Sequence, residues 1–88
     1  MRYKVRYHKK ALKQLAKLDK AVSALLINWI ETNLVDCSDP RTKGKALSGN
    51  LSSVWRYRVG DYRILADIKD DEVLILIVNV GHRREIYR

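Results

Sequence analysis

Phenylalanine is absent from this sequence, cysteine, proline and methionine occur once each, and no apolar run approaches the length of a membrane span. Each scarcity closes a class of answer. With Cys37 alone no intrachain disulfide can form, which argues against a stapled secreted scaffold and for a reducing, cytoplasmic setting. Cys37 stands before Ser38-Asp39-Pro40 in an expected loop, with no histidine or aspartate at triad-like spacing, so it reads as a passive thiol rather than a nucleophile. The two histidines, His8 and His82, are far apart, and neither has cysteines or carboxylates at ligand spacing; no metal set is visible and no cofactor is expected. Gly44-Lys45 lacks the surrounding Walker pattern, and no stacking-aromatic signature of an RNA-recognition motif occurs. Met1-Arg2-Tyr3-Lys4 lacks the apolar core of a signal peptide. Acidic residues are the last scarcity: 10 Asp and Glu stand against 18 Lys and Arg, a formal net charge of +8.

An excess of that size in 88 residues sets up a field that attracts polyanions. The basic residues are spread through the whole chain rather than gathered on a terminal amphipathic anchor, so a nucleic acid fits better than a membrane surface. A soluble basic protein without an anionic partner is the plainer alternative. The chain is long enough for one domain, residues 1–88, with a modest core. Its 47% hydrophobic content suits a globular fold, and Leu, Ile, Val, Trp29, Trp55 and the tyrosines must fill the interior.

The apolar pattern changes period along the chain. From Arg2 to Tyr7 basic and apolar residues alternate, the mark of a half-buried strand. From His8 a helical pattern places Ala11, Leu12, Leu15, Ala16 and Leu18 on one face and Lys9, Lys10, Lys13, Lys17 and Lys20 on the other. That lysine face is most simply solvated, with RNA contact as a second possibility. Asp19 suits the N-cap of a second helix carrying Val22, Leu25, Leu26, Trp29, Ile30 and Leu34. Residues 36–50 collect Pro40, Gly44, Gly49, serines and Asn50 and read as a loop bearing Arg41, Lys43 and Lys45. Strands are expected over 54–59 and 62–68 around Gly60-Asp61, and over 72–80 as a central strand buried on both faces, with a tight turn at Asp70-Asp71. The order β-α-α-β-β-β describes an α+β domain, two helices on one face of a mostly antiparallel four-stranded sheet.

A two-residue link at Gly60-Asp61 fixes the hairpin register by arithmetic: Val59 opposite Tyr62, Arg58 opposite Arg63, Tyr57 opposite Ile64, Arg56 opposite Leu65 and Trp55 opposite Ala66. Trp55, Tyr57, Val59, Tyr62, Ile64 and Ala66 then share the helix-facing side, while Arg56, Arg58 and Arg63 share the other. Like charges at paired positions destabilise a sheet, so selection for stability alone would rarely set Arg58 against Arg63. A solvated face with Asp67 or Glu72 as counter-charge is one reading; a phosphate site, which guanidinium forks match in bidentate fashion, is the other. The tail from Gly81 adds His82, Arg83, Arg84, Tyr87 and Arg88, each of which could instead be ordinary surface or packing.

The stretches Lys45 to Leu51, Trp55 to Leu65 and Val80 to Tyr87 together resemble the RelE/ParE superfamily of toxins from bacterial type II toxin–antitoxin systems, most closely the RelE branch. The resemblance spans nearly the whole chain. It implies a RelE-like fold and a metal-independent mRNA interferase that enters the ribosomal A site, where the 2′-hydroxyl attacks the adjacent phosphorus and leaves a cyclic phosphate and a free 5′-hydroxyl. It carries the catalytic positions onto Arg56, Arg58, Arg63, Arg83 and Tyr87, with Lys43, Lys45, Arg84 and Arg88 as expected RNA-binding contacts. It also implies an acidic RelB-like antitoxin, with the ribosome, mRNA and ribosomal RNA as targets. Where the best-known member has lysines, this chain has Arg56 and Arg58, and arginine cannot act as a general base. The base would then be Tyr87 or His82, with Arg63 and Arg83 stabilising the phosphorane. The alternative within the superfamily is a ParE-like toxin that inhibits DNA gyrase without cutting RNA.

Overall fold

A computed structural model describes residues 1–47 and 54–82. Strand β1 is Lys4–Tyr7, followed by helices α1, Lys9–Lys17, and α2, Lys20–Asn33. Four further strands follow: β2, Lys45–Ala46; β3, Val54–Val59; β4, Tyr62–Lys69; and β5, Leu74–His82. The sheet order is β1-β5-β4-β3-β2, with β1 parallel to β5 and the remaining pairs antiparallel. The α+β class and the helical hairpin on one face are as expected. The sheet has five strands rather than four, because Lys45 and Ala46, expected in a loop, pair with Arg56 and Trp55. Two residues are too few to leave a periodicity in sequence.

Side-chain chemistry sets both helix starts. His8 caps α1 by accepting the Lys10 N–H at Nδ1, 3.1 Å, and Asp19 caps α2 by accepting the Ala21 N–H at 3.1 Å. The helices bury Ala11, Leu15, Leu26 and Ile30 against Tyr57, Ile64, Ala66, Ile75, Ile77 and Val80 of the sheet, and Trp29 meets Tyr57 with ring centroids 5.4 Å apart. The buried face of α1 is narrower than its sequence suggests. Leu12 is 52% exposed and Ala16 is exposed too; in α2 Leu25 is 55% exposed. The strand expected over 72–80 begins later, because a 3-10 turn at Asp70–Glu72 and a left-handed Val73 (φ 51°) precede it. It is central in the sheet, yet only one face is sealed. Ile75, Ile77 and Val80 are buried, while Leu74, Leu76 and Val78 are half-covered.

The open edge of β5 is closed by a side chain. Beyond Ile77, whose carbonyl accepts the His8 N–H, β1 has ended. There Gln14 of α1 accepts the Val80 N–H at 2.7 Å and donates to Asn79 Oδ1 at 2.7 Å, standing in for a missing strand.

Candidate active site

The hairpin has the register that Gly60-Asp61 dictates: Arg58 pairs with Arg63, Arg56 with Leu65, Tyr57 with Ile64 and Val59 with Tyr62. Gly60 takes φ 61° and Asp61 stays at negative φ, the combination of a type II′ turn. Alternation then sends Arg56, Arg58 and Arg63 to the face turned away from the helices. There they line a concavity of about 260 Å³ with Gly44 and Lys45. Arg58 is exposed, Arg56 and Arg63 are half-buried, and the Nε of Arg63 is sealed from solvent. Asp67, one of the two expected counter-charges, lies on this face beyond Leu65 and pairs with Lys69 at 3.4 Å.

One wall of the concavity comes from the connection after α2, which is anchored far more firmly than a loop. Tyr57 donates its buried hydroxyl to the Pro40 carbonyl at 2.6 Å, and Trp55 Nε1 donates to the Lys43 carbonyl at 2.6 Å. Burial pushes the Tyr57 phenol well above its ordinary range, so it stays protonated as that donor. Arg41 grips Asp70 through both guanidinium nitrogens, 3.0 and 2.9 Å, and Tyr3 donates to the same carboxylate at 2.7 Å. Both partners hold the Asp70 carboxyl below the usual carboxylate range, Arg41 contributing most. The chain can then press against β3 only because residue 44 is glycine. A Cβ there would stand 2.2 Å from the Arg56 carbonyl oxygen, and φ is 79°. This places Lys45 directly across from Arg56. Neither Gly44 nor the Tyr57 and Trp55 anchors are visible in sequence; an isolated glycine between two lysines in an otherwise polar stretch is the one available hint.

The last strand sets which of Gly81 and His82 faces the arginines. Leu65 pairs with Asn79 but Ala66 pairs with Ile77, so Val78 is the extra residue of a bulge. The bulge returns Val80 to the helix side and sets Gly81, not Val80, across from Arg63. His82 pairs with Tyr62 and meets its ring edge-on, centroids 5.5 Å apart, on the opposite face from the arginine trio. Arg56, Arg58, Arg63 and Lys45 are thus brought together, Lys43 lies exposed on the anchored connection, and His82 is turned away. Arg83, Arg84, Tyr87 and Arg88 lie outside the described residues. Cys37 is half-buried, and burial raises its thiol pKa, the opposite of what a nucleophile needs.

Residues 5–87 match the family described as ParE toxin of type II toxin–antitoxin system, parDE. Toxin RelG of Mycobacterium tuberculosis is 33% identical over 88 residues, covering 100% of this chain and 99% of that protein. Among solved structures, the toxin–antitoxin complex RelBE2 from Mycobacterium tuberculosis gives a TM-score of 0.84 at 29% identity, covering 97% of this chain and 95% of that one. The isolated RelE toxin of E. coli gives a TM-score of 0.74 at 25% identity, over 97% of this chain and 90% of that one. Sequence and fold agree over almost the full length: the chain belongs to the ParE toxin family of type II toxin–antitoxin systems, within the RelE/ParE superfamily.

Proposed function

We propose that this toxin is a ribosome-dependent mRNA endoribonuclease that cleaves in the A site without a metal. The observation that carries the reading is the Arg58–Arg63 pair, set directly across one another with Arg56 and Lys45 around a single concavity. Four fixed positive charges on one rigid sheet face match the charge that develops on a phosphorane. Pre-positioned donors of that kind usually contribute more to such catalysis than any other single effect. In the proposed reaction the 2′-oxygen attacks the adjacent phosphorus as its proton is removed, the P–O5′ bond breaks, the departing 5′-oxygen takes a proton from water, and a cyclic phosphate and a free 5′-hydroxyl remain. Arg63 and Arg83 stabilise the charge on the non-bridging oxygens, with Arg56 and Arg58 holding the flanking phosphates. Tyr87 takes the proton from the 2′-hydroxyl, a role that arginine cannot fill. His82, facing Tyr62, is the lesser candidate.

An acidic RelB-like antitoxin is the proposed partner that silences the site, in keeping with the toxin–antitoxin complex among the similar structures. Primer-extension mapping of cellular mRNA after induction tests the activity. Cuts inside translated codons are expected. Arg63→Ala should remain folded and slow cleavage by about a hundredfold or more, as does loss of one oxyanion donor. Intact mRNA together with supercoiling defects would instead identify a gyrase inhibitor.

A further inference from the structure

We propose that the lysine face of α1 is a docking surface for the phosphate backbone of structured RNA, separate from the arginine concavity. It rests on the reading of this chain as an RNA-directed toxin and adds a second contact to it. Lys9, Lys10, Lys13 and Lys17 are all exposed. At about 100° per residue they fall within one quarter to one third of the helix circumference, on the side opposite buried Ala11 and Leu15. They form a ridge about 12 Å long. With His8 and Gln14 they line a shallow groove of about 440 Å³.

This ridge works against the helix that bears it. Lys9 and Lys10 sit in the first turn, where the helix dipole disfavours cations, and that turn holds no acidic residue. Lys9–Lys13 and Lys13–Lys17 are like-charge pairs four residues apart, a further destabilising arrangement. The ion pairs Arg41–Asp70 and Lys69–Asp67 both lie elsewhere.

The position of the ridge supports the same assignment. His8 and Lys10 also border a second groove whose floor includes Val54, Leu65 and Asn79 of the sheet's open face. Leu65 pairs with Arg56, so the ridge and the concavity lie on connected surface. An RNA engaged at the arginines meets the ridge by passing the groove at His8 and Lys10. Lysine is a hydrated point charge that neutralises phosphate without reading sequence. An amphipathic antitoxin helix would need apolar anchors, and none lies within the lysine arc.

The test replaces Lys9, Lys10, Lys13 and Lys17 together by Gln, which preserves helix propensity and removes the repulsion, beside a matching Lys→Arg set. Binding of the full chain to vacant ribosomes and to a duplex RNA is measured across a salt series. The Gln variant should lose at least tenfold in affinity, and the slope of log affinity against log salt should fall by about 3, nearly one per lost contact. The Arg set should restore both. At saturating ribosomes the single-turnover cleavage rate should be unchanged while the half-saturating concentration rises. Equal affinity and slope for the Gln variant and the parent would overturn the proposal. So would a loss confined to binding of the cognate antitoxin. A parent chain that binds RNA through the ridge but never cleaves would sink the nuclease reading and leave the ridge standing.

Discussion

Gly44 and Gly60 both have positive φ, and their surroundings separate them. A methyl at Gly44 would collide with the Arg56 carbonyl at 2.2 Å and crowd the Trp55 and Tyr57 rings, whereas a methyl at Gly60 meets nothing within 4 Å. Gly60→Ala should thus cost only the left-handed backbone penalty, about 1 kcal/mol. Gly44→Ala adds overpacking and should cost about 3 kcal/mol. It should also shift Lys45 away from Arg56 and slow the proposed cleavage even in the folded fraction. Urea unfolding of the two variants checks the order, and equal midpoints would show that β2 can move away from β3 freely. The difference also shows what a sequence can disclose. Gly60 announces itself because a two-residue turn closes a local hairpin. Gly44 does not, because the atom it makes room for belongs to Arg56, well along the chain on another strand.

At the scale of elements, the hairpin and both helices were legible from period and caps, since each signal lies within a few residues. The bulge at Val78 was not, and it decides that Gly81 rather than Val80 stands across from Arg63 and that His82 turns to the helix side. Two other features missed were likewise long-range: the Gln14 side chain that finishes the edge of β5, and the strut from Tyr3 through Asp70 to Arg41. That strut ties β1, the turn before β5 and the connection that carries Lys45, and it has a pH signature. Asp70 has its carboxyl pKa lowered, chiefly by Arg41, so its contribution is present above the ordinary carboxylate range and lost as pH falls below it. Tyr3 has its phenol pKa raised, chiefly by its bond to Asp70, so its contribution is present below about pH 10 and lost as pH rises beyond. Both Arg41 and Asp70 are well exposed, which keeps the effect modest and salt-sensitive. Asp70→Asn should flatten the acid limb: between about pH 5 and 2 its melting temperature should fall less than the parent's. Parallel curves for the two proteins would mean that the strut is already broken in solution.

The whole molecule carries +8 over 88 residues, with the arginine concavity and the α1 lysines both on its surface. A charge of that size acts before contact, steering an acidic partner to the toxin and raising the encounter rate by an order of magnitude or more at low salt. It acts less on an assembled complex, where exposed leucines such as Leu12 and Leu25 offer apolar contact that salt does not screen. For the proposed antitoxin, the two rate constants should therefore separate. Between about 0.02 and 0.5 M salt the Debye length shrinks from tens of ångströms to a few, so the association rate should fall at least tenfold while dissociation changes by less than threefold. Stopped-flow mixing with the cognate antitoxin measures both. An association rate indifferent to salt would mean that the partner finds the toxin through its leucines and that the positive surface is kept for RNA alone. A dissociation rate that climbs as steeply as association falls would place the arginines inside the interface as its main hold, so the antitoxin would inhibit by filling the concavity itself.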